Sequence, residues 1–144
     1  GLALETSSYS LVTIAREASQ YFTKTGGSVI SMTFDASTRV YPGYNVMGTA
    51  KAALENINRQ LANEFGPKKI RFNSISAGPL PSLSARSIPG FTEMRKAHEE
   101  RSPIKRPITH QEVANTALFL ISDLSTGITG SIIPVDGGYG IIAL

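Results

Sequence analysis

The stretch Tyr41-Pro42-Gly43-Tyr44-Asn45-Val46-Met47-Gly48-Thr49-Ala50-Lys51-Ala52-Ala53-Leu54-Glu55 decides how this chain is read. After the turn pair Pro42-Gly43 it reads as the start of a helix carrying a phenol, Tyr44, and an ammonium, Lys51. Seven positions are close to two helical turns, so both side chains are expected on one face, about 10 Å apart along the axis. A cation beside a tyrosine favours the phenolate and lowers the phenol pKa, which suits the pair to proton donation. The same spacing also describes a helix with one surface lysine and one half-buried tyrosine.

Working outward, the helix is expected to run to about Phe65, with Val46, Ala50, Ala53, Leu54, Ile57, Leu61 and Phe65 as its apolar face. Gly66-Pro67 should stop it. Upstream, residues 2–24 carry Leu4, Leu11, Ile14, Ala15, Ala18 and Phe22 at helical spacing, with Ser7 to Ser10 near the start or interrupting it. Ser28 to Phe34 is short and mostly apolar, as in a buried parallel strand. Downstream, Lys69 to Ser76 reads as a strand despite polar Asn73 and Ser74. Residues 77–90 form a proline- and serine-rich loop, and Phe91 to Arg101 a charged helix. Thr109-His110-Gln111-Glu112 is a capping-box signature opening a helix through Ile121, with Val113, Ala117, Leu118 and Leu120 inward. Ser131 to Val135 is the last strand. Strands alternating with helices indicate an α/β fold with a parallel sheet.

The 144 residues suit one domain with a core. No cysteine is present, which excludes disulfides and thiolate metal sites, and two histidines are too few for a histidine-based one. The net charge of +3 fits an acidic partner without demanding one. Basic residues lack interleaved aromatics, which speaks against nucleic acid. No apolar run reaches membrane-spanning length and no signal peptide is visible, so the cytoplasm, or an organelle stroma, is the expected location.

Three ordered motifs carry a family resemblance. Tyr44-x6-Lys51, with Asn45, Met47 and Ala52 around it, resembles the enoyl-acyl-carrier-protein reductases, a divergent branch of the short-chain dehydrogenase/reductase superfamily. Residues 75–80, Ile-Ser-Ala-Gly-Pro-Leu, resemble that family's nicotinamide-side loop, and Ile128 to Gly138 its last strand and turn. Ordinary superfamily members use Tyr-x3-Lys, but Met47 stands four before Lys51. The resemblance implies the C-terminal half of a Rossmann-type doubly wound parallel sheet, three strands with flanking helices. Residues 1–144 would be a single partial domain. The glycine-rich half that binds the cofactor phosphates would come from a missing N-terminal half or a companion chain. The strand at 28–34 would then have an unpaired edge.

The implied activity is NADH-dependent reduction of the C=C bond of an enoyl thioester on acyl carrier protein, in fatty acid biosynthesis, by a homotetramer. Tyr44 would be the catalytic donor to the thioester carbonyl, and Lys51 would bind the nicotinamide ribose. Phe34 stands where many relatives have Tyr; it and Leu83 would bind substrate with Tyr44. Ala77, Gly78, Pro79 and Leu80 would hold the nicotinamide, and Ser82 the pyrophosphate, although Pro81 replaces the family's usual arginine. Arg95, Lys96, Arg101, Lys105 and Arg106 would face the acidic carrier or simply solvent. Two alternatives stay open: a truncated non-catalytic relative serving as an oligomerisation module, and a carbonyl-reducing member of the superfamily.

Overall fold

A computed structural model describes residues 1–22 and 24–143. The chain opens with α1 (Leu2–Leu4), a π turn over Glu5–Tyr9, α2 (Ser10–Ala18) and a 3-10 turn at Ser19–Tyr21. The single helix expected over residues 2–24 is therefore interrupted and ends early, and Thr23 lies outside the described residues. The interruption has a local cause. Buried Ser8 donates its hydroxyl to the Ala50 carbonyl at 2.6 Å, and the extra residue of a π turn accommodates that crossing contact. Leu11 and Ala15 reach the core, whereas Leu4 and Ile14, expected inward, are exposed.

Three strands follow: β1 (Gly27–Thr33), β2 (Ile70–Ala77) and β3 (Ile132–Val135), all parallel in the order β1-β2-β3. Helix α3 (Val46–Phe65) connects β1 to β2. It begins later than expected, so Tyr44 lies in the preceding turn and the shared-face geometry with Lys51 does not apply. Gly66-Pro67 ends the α-helix at Phe65, as expected. The helix tightens into one 3-10 turn, Gly66–Lys68, and the reversal falls on Lys69 in the left-handed region at φ 59°. After β2 come α4 (Leu83–Arg86), α5 (Phe91–Arg101) and α6 (His110–Ile121). The capping box at Thr109 and Glu112 forms as expected.

Side chains of β2 alternate between two cores, as the period of a strand requires. Ile70 and Phe72 pack with Leu11, Leu54, Leu61 and Phe65 on the α3 side. Ile75 packs with Val113, Leu120 and Ile108 on the α6 side. Helices thus cover both faces of the sheet. Val46 and Leu118, expected inward, are exposed. Polar Asn73 and Ser74 are fully buried because each has a partner. Asn73 donates to the Ile128 carbonyl at 2.9 Å and accepts from the Ser131 amide at 3.1 Å, while Ser74 meets the Ser31 hydroxyl at 2.6 Å.

Candidate active site

The carboxyl ends of parallel strands open into the crevice where α/β sheets place ligands. At the end of β1, the Thr33 hydroxyl donates to the buried Glu55 carboxylate at 2.8 Å, and Lys51 Nζ donates to the Met32 carbonyl at 3.0 Å. Both contacts draw the first half of α3 against the strand end. Gly48 completes the approach: a Cβ there would lie 2.7 Å from the Ala36 carbonyl oxygen. Asn45 bends the chain into α3 at φ 47° and ψ −129°, a conformation uncommon outside glycine.

That bend places Tyr44 against Phe34, with ring centroids 5.4 Å apart. Burial first, and the Asp35 charge second, push the Tyr44 phenol above its ordinary pKa. The expectation that Lys51 lowers it does not hold, and Tyr44 is a neutral phenol ready to donate. Burial lowers the Lys51 ammonium while Glu55 works to raise it. Tyr44 lines an open groove of about 440 Å³ together with Ala36, Tyr41, Asn45, Gly48 and Ala52. Across the ridge formed by Tyr41 and Pro42 lies a second groove of about 370 Å³, reaching Pro89, Met94 and Tyr139.

The loop after β2 is firmly built. The Gly78 amide donates to the Val135 carbonyl at 2.9 Å, so the tie to β3 continues one residue past Ala77. Gly78 and Pro79 are buried, and Leu80 packs on the α6-side core. Around Pro81 the Ser82 amide folds back onto the Leu80 carbonyl at 2.9 Å, a turn that needs no amide from proline. Ser82 Oγ caps α4 by accepting from the Ala85 amide at 3.1 Å, which leaves its O–H free to donate outward. Leu83 is 89% exposed and lines neither groove. The structure thus brings Phe34, Tyr44 and Lys51 together at one strand end and Ala77 to Leu80 at the next, with Ser82 and Leu83 farther out.

The donor set suits a dinucleotide. Lys51 uses one of its three N–H groups within the fold, leaving two for ribose hydroxyls. The Ser82 hydroxyl suits a phosphate oxygen. Among the described residues no group of three metal-binding side chains gathers.

Another cluster had no motif to announce it. Tyr41 donates its hydroxyl to Asp35 Oδ2 at 2.8 Å and lies 3.1 Å from His98 Nε2. Tyr139 stacks on the His98 ring at 3.6 Å, and Tyr41 sits 4.9 Å from Phe34. Arg39 bonds the Gly140 carbonyl and lies over the Tyr139 ring. The partners come from three distant stretches, residues 34–41, His98 and residues 139–140, which no local pattern links.

Residues 1–140 match the profile of the family described as Enoyl-(Acyl carrier protein) reductase. A Synechocystis protein named enoyl-[acyl-carrier-protein] reductase [NADH] FabI is 50% identical over 142 residues, covering 99% of this chain and 55% of that protein. The crystal structure of the Bacillus cereus enoyl-acyl carrier protein reductase with NADP+ and indole naphthyridinone superimposes with a TM-score of 0.95 at 45% identity, covering 99% of this chain and 55% of that one. The Aquifex aeolicus enoyl-[acyl-carrier-protein] reductase (NADH) gives 0.96 at 38% identity, covering 99% and 56%. The chain spans about half the length of the curated relatives it matches.

Proposed function

The chain belongs to the enoyl-(acyl carrier protein) reductase family, and from that premise we propose that it reduces the C=C bond of an enoyl thioester on acyl carrier protein with NADH, in fatty acid biosynthesis. The observation that carries this reading is the neutral phenol of Tyr44 against Phe34 where β1 ends, with the Lys51 ammonium held at the same strand end. Bound NADH supplies a hydride to the β-carbon of the substrate. The C=C electron pair then moves toward the thioester, and negative charge develops on its carbonyl oxygen. Tyr44 donates a hydrogen bond to that oxygen, where a fixed donor acts most strongly because the charge appears only as the reaction proceeds. A proton reaching the α-carbon completes the reduction.

Lys51 holds the nicotinamide ribose and keeps the local field positive. Ala77, Gly78, Pro79 and Leu80 bound the nicotinamide, and Ser82 donates to the pyrophosphate. Phe34 shapes the pocket; lacking a hydroxyl, it supplies no proton. Leu83 sits on an outer helix that touches the acyl chain only when the segment folds inward. The phosphate-binding half of the cofactor site comes from outside residues 1–144, and the working assembly is a homotetramer.

Two replacements in the polypeptide as the cell makes it test the site. Tyr44→Phe lowers kcat/KM for a crotonyl thioester by about 100-fold, the loss of one oxyanion donor. Lys51→Ala weakens NADH binding by at least tenfold. An unchanged kcat/KM in the first, or unchanged NADH affinity in the second, removes that residue from its role.

A further inference from the structure

The chain Asp35–Tyr41–His98 joins parts of the fold that no strand pairing connects. Asp35 and Tyr41 belong to the segment between β1 and α3, which also carries Phe34 and Tyr44. His98 lies in α5, and Tyr139 follows the turn after β3. His98 is only 5% exposed. Tyr41 has a single hydroxyl proton, given to Asp35 Oδ2 at 2.8 Å. The 3.1 Å contact to His98 Nε2 is then a hydrogen bond only if Nε2 carries the proton and donates to the Tyr41 oxygen. The proton order runs His98 Nε2–H to Tyr41 O–H to the Asp35 carboxylate. His98 Nδ1 is left as a bare acceptor, buried and with no hydrogen-bond partner among the described residues. It faces the backbone at Gly78, where an added Cβ would lie 3.5 Å away.

We propose that His98, held as the Nε2–H tautomer, and Tyr41 are positioning residues: they lock the 34–45 segment against α5 and so fix where Tyr44 points. This rests on the reductase reading above and adds two residues that act through the placement of Tyr44. The lock acts through packing as well as hydrogen bonds. Phe34 is wedged between Tyr41 at 4.9 Å and Tyr44 at 5.4 Å, so a loosened Tyr41 ring frees the face on which Tyr44 rests. The Tyr139 ring, stacked at an interplanar angle of 16°, closes the other face of the imidazole. The charged and titratable groups around His98 are Asp35, Arg39 and Tyr41 from the 34–45 segment and Arg95 one turn back on α5. Arg106 lies in the following loop, and Asp136 and Tyr139 in the final turn.

Three variants separate positioning from mere packing. Tyr41→Phe keeps the ring and breaks the chain; His98→Leu keeps the bulk and removes both nitrogens. His98→Gln returns an N–H donor near the Nε2 position. In the polypeptide as the cell makes it, the first two lower kcat for a crotonyl thioester about tenfold with the KM for NADH unchanged, the signature of a misplaced donor. The glutamine variant recovers most of the loss. An unchanged kcat in Tyr41→Phe, or a glutamine variant no better than leucine, overturns the proposal. Imidazole ¹⁵N spectra of the wild type provide a readout without turnover. An Nε2–H tautomer with a slowly exchanging proton is expected, and an Nδ1–H tautomer overturns the proposed proton order. Because that readout needs no reaction, failure of the lock is told apart from failure of the reductase reading.

Discussion

At the scale of single residues, burial rather than charge pairing sets the proton states around the site. Tyr44 stays a phenol because desolvation raises it, and Asp35 adds to the same direction. His98 is driven down to about 4 by burial, with Asp136 opposing and Arg39 assisting. Its folded pKa lies below the ordinary value of 6.5, so the unfolded chain binds more protons between those values. The stability tied to neutral His98 is therefore complete above about pH 6.5 and is lost as pH falls toward 4, by up to about 3 kcal/mol. Asp35, raised by burial, works in the opposite sense, since protonating it as pH falls relieves its desolvation. Urea unfolding at pH 7 and pH 5 checks the balance. The wild type loses stability between them, and His98→Leu shows a shallower loss; equal slopes would mean that His98 titrates normally.

At the scale of elements, buried polar side chains join neighbours that apolar packing leaves unspecified. Asn73 holds the loop before β3 by two hydrogen bonds, and Arg71 reaches the Ser122 carbonyl, the Ser125 hydroxyl and the Ile128 carbonyl after α6. Asn73→Ala leaves both an amide and a carbonyl without their partner in a dry interior and should destabilise the fold by about 3 kcal/mol. Thr109→Ala, which removes an exposed helix cap, should cost about 1 kcal/mol. Thermal or chemical unfolding of the two variants measures the difference, and a smaller effect for Asn73→Ala would contradict its role as a clamp. The capping carboxylate is itself well held. Bonds from Arg106 and the Thr109 amide keep Glu112 down to about 2, so this cap survives to acid pH. Asn58 is buried in α3 with both amide atoms unpartnered among the described residues, and nothing in the structure explains it.

At the scale of the whole molecule, β1 pairs with β2 on one side only among the described residues, and Met32 on it is 44% exposed. An apolar strand with a free edge invites another strand. In isolated residues 1–144, the β1 amides pointing away from β2 should exchange with solvent quickly, whereas those facing β2 are slow. Slow exchange throughout β1 in a monomer would show the edge already covered. The basic cluster is partly paired within the fold. Lys96 pairs with Glu100 at 3.7 Å and Arg106 with Glu112 at 2.6 Å, which offsets two of the five positive charges that would meet an acidic carrier. The paired double replacement Lys96→Glu and Arg101→Glu should raise the KM for a carrier-bound substrate several-fold at low salt, an effect that fades as salt screens the surface. Equal KM values at low salt would exclude this face as the docking site.

Order and local signals were legible before any coordinates. Strand–helix alternation gave parallel α/β architecture, and Thr109 with Glu112 gave a cap, because these depend on residues within one or two turns of each other. Tyr44, Lys51 and residues 77–80 were singled out by the family resemblance of their motifs, since a tyrosine and a lysine seven residues apart also fit an ordinary surface helix. What spacing could not supply was where the helix begins. The contacts of Lys51 with Met32 and of Gly48 with Ala36 set α3 against β1, and Asn45 turns Tyr44 out of the helix. Nor could it show that Asp35, Tyr41, His98 and Tyr139 meet, or that Glu55 and Asn73 are buried. Those groups are brought together from distant parts of the chain by strand pairing and helix packing, and desolvation, which sets their proton states, exists only once the chain has folded.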